Sequence, residues 1–178
     1  MLAVCNRSIR VSHFDNTRGL QPRSFGVMTN AKPIPEGFST VTPNLVVQGG
    51  AEAIEFYERA FGAEVVARLE AGGMLMHATL RIGDAVITLS DAMPAHGLVA
   101  PGADAGVSVF LTLYVDDADA WHRRALDAGA TEINPVADHV HGDRAGSLRD
   151  PFGHRWATAT HIEDVSPAEI EQRLAASA

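Results

Sequence analysis

The sequence has few of the features that mark several large classes of protein. Cys5 is its one cysteine, so an intrachain disulfide cannot form and clustered thiolate metal sites are excluded. No apolar run approaches the roughly 18 residues that a membrane span needs. The 14 Lys and Arg are outnumbered by 22 Asp and Glu, and affinity for nucleic acid is built largely from Lys and Arg. We therefore expect a cytoplasmic protein without a membrane or nucleic-acid partner.

The first 35 residues differ from the rest of the chain. They hold four arginines and one acidic residue, Asp15, and they show neither helical nor strand periodicity. We expect residues 1–35 to form a disordered extension. Met28 is a candidate for the natural start, and an Arg-rich transit peptide is the other interpretation.

An internal repeat organises the remaining chain. Residues 45–63 parallel residues 113–130, and each copy reads as a strand, an amphipathic helix and a Gly-Ala stop. Arg81 and Arg149 stand at matching places near later turns, and the offset is 67 or 68 residues in both comparisons. A single coincident motif does not explain two matches at one offset, so the sequence predicts two homologous modules.

Each module is predicted to have the order βαβββ, which gives an α+β fold. In the first module β-branched and alternating runs predict strands at 41–47, 64–69, 74–82 and 85–90, with a helix at 51–61. The second repeats this order with strands at 107–115, 132–136, 145–149 and 154–160 and a helix at 118–128. The predicted organisation is a first module at 36–92, a linker at 93–106, a second module at 107–165 and a C-terminal helix at 166–178.

The chain resembles the PhnB-like branch of the vicinal oxygen chelate superfamily, which has the glyoxalase/bleomycin-resistance fold. The resemblance rests on the tandem plan, the helix end Phe-Tyr-Glu-Arg-Ala-Phe-Gly-Ala, the strand Leu-Tyr-Val-Asp-Asp and the run Arg149-Asp-Pro-Phe-Gly-His-Arg-Trp156. It covers about residues 36–165. The resemblance implies a curled mixed sheet whose two modules form a cleft, and a homodimer.

The resemblance also implies where a metal would be held. Metal-dependent members place His, Glu or other ligands on the first and last strands of each module, and the matching positions here are Thr42, Thr88, Phe110 and Ala157. None of these supplies the nitrogen or carboxylate oxygen that a divalent metal needs. We therefore expect no metal at the family positions.

A different ligand set is the alternative. His139 and His141 point to one face if their stretch is extended, and Asp143 joins them; His77 could add a fourth ligand. An exposed polar loop explains the same residues without a metal. His122, on the second predicted helix, is expected to be solvated.

The cleft is predicted from alternate residues of the strands and from one rim arginine. Its predicted lining is Thr42, Asn44, Thr88, Phe110, Thr112, Tyr114, Arg144 and Arg155. Aromatic rings, hydroxyls and few charges suit a planar or amphipathic organic ligand. The leading hypothesis is a binding protein without a cofactor, similar to the antibiotic-sequestering members of the superfamily.

Two other functions remain open at this stage. One is a metal-dependent lyase, isomerase or dioxygenase that uses the atypical ligand set. The other is a regulatory module whose cleft is filled by its own side chains. No catalytic residue can be assigned from the sequence, since it holds no Gly-x-Ser-x-Gly elbow and no distinctive carboxylate pair.

Overall fold

The computed structural model describes residues 31–102 and 106–176. The extension predicted at 1–35 therefore lies, except for its last five residues, outside the described residues. The first module contains β1 Asn44–Val47, α1 Gly50–Phe61, β2 Glu64–Ala71, β3 Met74–Ile82 and β4 Ala85–Asp91. The second contains β5 Phe110–Tyr114, α2 Ala118–Asp127, β6 Thr131–Asp138, β7 Asp143–Arg149 and β8 Arg155–His161. The helix α3 Pro167–Ala176 follows.

Two four-stranded mixed sheets have the same topology, and this confirms the α+β fold with two tandem βαβββ modules. The strand orders are β1-β4-β3-β2 and β5-β8-β7-β6. In each sheet the first strand of the module pairs in parallel with the last, and the other pairs are antiparallel. Along each of these strands, successive side chains point to opposite faces of the sheet, so every second residue lies on the same face.

The core lies on the helix-facing side of the sheets. Along α1 the buried side chains include Phe56, Tyr57 and Phe61, which recur at helical spacing. The ring of Phe61 lies 4.7 Å from that of Trp156 in β8, measured between centroids. The first helix therefore packs against residues of both modules.

A buried carboxylate also joins the two modules. The hydroxyl of Tyr57 donates to Asp150 Oδ2 at 2.6 Å, and the indole nitrogen of Trp156 donates to the same oxygen at 2.9 Å. The backbone N–H groups of Phe152 and His154 donate to the other oxygen. Because Asp150 is 3% exposed, these donors replace the water that the carboxylate loses on folding.

Some boundaries differ from those that the sequence predicts. The strand predicted at 41–47 begins at Asn44, because Pro43 has no N–H for a ladder. The strand predicted at 145–149 begins two residues earlier, at Asp143. The predicted linker contains a short 3-10 helix at Pro94–His96. Within the described ranges, no helix is long and apolar enough to cross a membrane.

The expectation that His122 is solvated is wrong. The residue is 4% exposed, with Nδ1 3.1 Å from Thr158 Oγ1 and Nε2 3.3 Å from Glu132 Oε2. These partners satisfy both ring nitrogens, so His122 has a structural role between α2 and its sheet.

Candidate functional site

A pocket of about 350 Å³ opens over the second sheet, on the face turned away from the core. Leu111 and Leu113 of β5 pack against the core, so the alternate residues of this strand face the pocket. Its described lining residues all belong to the second module and are Phe110, Thr112, Tyr114, Asn134, His139, His141, Asp143, Ala145, Gly146, Ser147, Arg155, Ala157 and Ala159.

The floor of the pocket consists of small residues. Ala157 pairs with Thr112 on one side and with Ser147 on the other, so it lies at the centre of the sheet. Ala159 continues the floor along β8, and Ala145 lies beside it on the neighbouring strand β7. Such residues leave room above the backbone that a larger side chain would fill.

Two aromatic rings stand at the edge of this floor. Phe110 is 57% exposed and Tyr114 is 65% exposed, and both rings line the same pocket. Exposed rings beside a concave surface provide faces on which a planar ligand can stack.

One end of the pocket is cationic. The Cζ atom of Arg155 lies 5.6 Å from the centre of the Phe110 ring. Its Nη2 atom donates to Ser147 Oγ at 3.3 Å, and Asn134 Nδ2 donates to the same oxygen at 2.8 Å. The side chains of Arg155, Ser147 and Asn134 are called the arginine corner below.

The other end is acidic. Asp143 is 6% exposed, and its carboxylate accepts hydrogen bonds of 2.8 Å from Tyr114 Oη and from His161 Nδ1. The Nε2 atom of His141 lies 3.5 Å from Asp143 Oδ2. Burial raises the pKa of Asp143, but the hydrogen bonds and the charges of these histidines outweigh it and leave the pKa below its ordinary value.

The neighbours of Asp143 shift in the opposite direction. The hydrogen bond to Asp143 raises the pKa of Tyr114. Hydrogen bonds to Asp143 and to Asp164 raise the pKa of His161. Each shift has the same physical cause, since a nearby carboxylate favours the protonated form of its partner.

Gly142 connects the two chain segments that form this acidic end. Its φ of +92° is a conformation that L side chains rarely adopt. Its carbonyl accepts hydrogen bonds from the N–H groups of Ile162 and Glu163, at 2.9 and 3.0 Å. The turn before β7 is thereby attached to the end of β8, which brings Asp143 next to His161.

The structure brings together four of the eight residues predicted for the cleft. Phe110, Thr112, Tyr114 and Arg155 line the pocket over the second sheet. Asn44 lines a second cavity of about 630 Å³, next to the segment between the modules, and Arg155 lines that cavity as well.

The other three predicted residues have partners elsewhere. Thr42 donates to the carbonyl of Ser39 at 3.1 Å, and Thr88 donates to Asn44 Oδ1 at 2.9 Å. Arg144 is bound by the carboxylates of Asp119 and Asp138, at 2.6 and 2.8 Å.

The predicted atypical metal ligands are only partly together. His139, His141 and Asp143 line the pocket, and the rings of His139 and His141 stack with centroids 5.3 Å apart. His77 lies in β3 of the first module, 3.1 Å from Thr79 Oγ1. Among the described residues, no group of three or more His, Cys, Asp and Glu side chains has the geometry of a metal site, so this set does not fit a metal as it stands.

Sequence reasoning missed the pocket residues Asn134 and Ser147, and it also missed His161, which binds the pocket residue Asp143. The last two follow the period-two alternation of β7 and β8 that also carries Asp143 and Arg155. Extending that alternation to the strand ends would have found them. Asn134 lies beside a register irregularity of β6, and the sequence gives no signal for it.

Comparison with known proteins gives the class to which this architecture belongs. Residues 39–158 match the family model of the Glyoxalase/Bleomycin resistance protein/Dioxygenase superfamily. The match spans more than half of the chain, and the chain belongs to this superfamily.

Particular relatives and solved structures are consistent with this assignment. An uncharacterised protein of Mycobacterium tuberculosis is 38% identical over 138 residues, which are 75% of this chain and 81% of that protein. The crystal structure of TioX from Micromonospora sp. ML1 has a TM-score of 0.54 and 26% identity, and it covers 70% of this chain and 99% of TioX. The fosfomycin resistance protein FosX from Listeria monocytogenes has a TM-score of 0.54 at 14% identity, covering 74% of this chain and 97% of FosX, and this likeness concerns the fold alone.

Proposed function

We propose that this protein binds a small planar or amphipathic organic molecule in the pocket over its second sheet. The observation that carries the proposal is the pair of exposed rings, Phe110 and Tyr114, beside a floor of alanines. A ligand ring would stack on these aromatic faces, and the hydroxyls of Thr112 and Ser147 would fix its orientation. The protein would then act by affinity, like the antibiotic-sequestering members of the superfamily.

The proposal includes no metal at the family positions. Thr42, Thr88, Phe110 and Ala157 offer no imidazole or carboxylate, and the hydroxyls of Thr42 and Thr88 donate to oxygen atoms of the chain. A divalent metal needs several nitrogen or oxygen donors that converge on one point.

A metal-dependent lyase, isomerase or dioxygenase is the competing function. It would need His139, His141 and Asp143 to turn toward one centre, and Asp143 is already held by Tyr114 and His161. Elemental analysis of protein purified without chelator tests this alternative. One equivalent of a divalent metal, lost in a His141→Ala variant, would favour the enzyme over the binding protein.

Three finer assignments belong to the same proposal. The run Arg149-Asp-Pro-Phe-Gly-His-Arg-Trp156 supports a place in the PhnB-like branch. The exposed apolar side chains of Val66 and Leu69, on the edge strand β2, and of Met74, at the start of β3, support a homodimer. The single cysteine supports a cytoplasmic location.

The test of the proposal is a ligand screen with a variant that fills the pocket. Ligand-observed NMR with a library of aromatic fragments would identify binders of the wild type. Ala157→Phe places a ring on the pocket floor, while Ala168→Phe, at an exposed position of α3 away from the pocket lining, is its matched control. Binding that Ala157→Phe abolishes and Ala168→Phe preserves is the expected result. Fragments that bind both variants equally would contradict the proposal.

A further inference from the structure

One hydrogen-bond donor of the arginine corner has no acceptor among the described residues. The Nε atom of Arg155 is buried and has no hydrogen-bond partner among the described residues. A buried N–H of a charged group without an acceptor costs more free energy than most missing hydrogen bonds. The guanidinium of Arg155, which lines the pocket, therefore keeps donor capacity that no described residue uses.

Arg155 also lacks the partner that most other arginines have. Among the described residues, carboxylates form ion pairs with Arg59, Arg68, Arg81, Arg144 and Arg173. No described carboxylate lies within ion-pair distance of Arg155, although the chain carries an excess of eight negative charges. An unpaired, partly buried guanidinium in an acidic protein is the strongest attractor for an anion in this pocket.

Ser147 completes the donor set. Its hydroxyl oxygen accepts hydrogen bonds from Asn134 Nδ2 and Arg155 Nη2. Both lone pairs are thus used, so its own O–H remains to donate. The corner therefore holds a guanidinium and a hydroxyl side by side, both able to donate, and the guanidinium lies beside the Phe110 ring.

The charges of the pocket also indicate which end a charged group of the ligand would occupy. Arg155 and His161 are the first and last residues of β8, and six residues of strand span about 20 Å. Asp143 pairs with His161 at the far end, where the charges of the histidines are matched by a carboxylate. The Arg155 end is therefore the place in the pocket where a negatively charged group of a ligand meets a cation that has no carboxylate partner among the described residues.

We infer that the ligand of this pocket is an aromatic carboxylate whose ring stacks on Phe110 and whose carboxylate is bound by Arg155 and Ser147. A guanidinium matches a planar carboxylate with two parallel hydrogen bonds, and a cation close to an aromatic ring stabilises that contact further. This inference rests on the proposed function, because it names the class of ligand for the same pocket.

The test compares three probes of nearly equal shape. They are 2-naphthoate, its neutral amide 2-naphthamide and the cation 2-naphthylmethylammonium, titrated by calorimetry into the wild type and into variants. We expect 2-naphthoate to bind about 10-fold more tightly than the amide, and the cation to bind weakest. Arg155→Gln should bind 2-naphthoate and 2-naphthamide with about equal affinity. Arg81→Gln, in the first module, should keep the preference of the wild type for the acid.

Two milder variants keep the test valid if Arg155→Gln is unstable. Arg155→Lys retains the charge but loses the planar fork, and Ser147→Ala removes one donor, so each should lower the preference about 3-fold. A preference that survives Arg155→Gln would overturn the inference, and so would equal binding of acid and amide. If the wild type binds acid and amide equally and Ala157→Phe binds neither, the proposed function stands but its ligand is not specifically a carboxylate. Absence of binding by all three probes up to millimolar concentration would overturn both.

Discussion

Tyr114 of β5 donates a hydrogen bond of 2.8 Å to the carboxylate of Asp143, the first residue of β7. The ring of Tyr114 is largely exposed, while Asp143 is buried. The tyrosine therefore covers the acidic end of the pocket with a hydroxyl that is already engaged. Its ring face, rather than its hydroxyl, is what remains for a ligand.

Tyr114→Phe removes this donor and keeps the ring. Asp143 then loses one of its hydrogen bonds, so we expect the free energy of unfolding to fall by about 1 kcal/mol and the pKa of Asp143 to rise. Urea denaturation measures the first effect and NMR titration of the Asp143 carboxyl carbon the second. Ligand binding by stacking should persist, and its complete loss in Tyr114→Phe would contradict the role given to the ring.

The stability of the protein should depend on pH through His161. Because Asp143 and Asp164 raise the pKa of His161, the folded state binds this proton more tightly than the unfolded state. The resulting stabilisation is fully present below the ordinary histidine pKa of 6.5 and is lost as the pH rises through the raised pKa. Thermal melts of the wild type and of His161→Gln between about pH 6 and pH 8 measure it. The two proteins should converge at the alkaline end, and a constant difference across this range would contradict the account.

Replacing Gly142 by alanine should cost more stability than the same change at a glycine that also has a positive φ but lies in open space. A Cβ at Gly142 would lie 2.0 Å from the carbonyl oxygen of Glu163, while one at Gly83, with φ of +59°, would meet nothing within 4 Å. Gly142→Ala is therefore expected to cost about 1–3 kcal/mol more than Gly83→Ala. Chemical denaturation of both variants gives this difference, and equal losses would show that the close contact is relieved without cost.

The link between Tyr57 and Asp150 should stabilise the arrangement of the two modules. Tyr57→Phe removes the 2.6 Å hydrogen bond and leaves the buried carboxylate with its remaining donors. We expect a loss of about 1–3 kcal/mol with no change in secondary structure. Denaturant unfolding followed by circular dichroism measures this, and Phe38→Leu, outside the core cluster, is a control that should change little.

The fold could be predicted from the sequence because its signals are repeated. Both modules carry the same alternation of strand and helix patterns, and the parallel pairing of β1 with β4 recurs in β5 with β8. His122 shows where this reasoning failed. It follows Ala118 by four residues and precedes Ala125 by three on the buried face of α2, so helical spacing already indicated burial, but its polar side chain suggested exposure.

The site could be predicted only in part. Alternation along β5 correctly placed Phe110, Thr112 and Tyr114 on one face, and Arg155 pairs with Phe110 in register. Asn44 and Thr88 are likewise paired in register, yet they lie on the other sheet. The difference depends on the small residues of β7 and β8 that form the pocket floor, and side-chain volume on neighbouring strands is not visible in the pattern of a single strand.

Binding of an aromatic ligand over the second sheet is tested most directly by mapping the bound ligand on the protein. Amide NMR spectra would be recorded while an aromatic fragment from the screen is added to the wild type and to Ala157→Phe. We predict that shift changes cluster on β5, β7 and β8 around Thr112, Ser147 and Ala157, and that they vanish in Ala157→Phe. Changes that cluster on the first sheet, or that persist unaltered in the variant, would contradict this prediction.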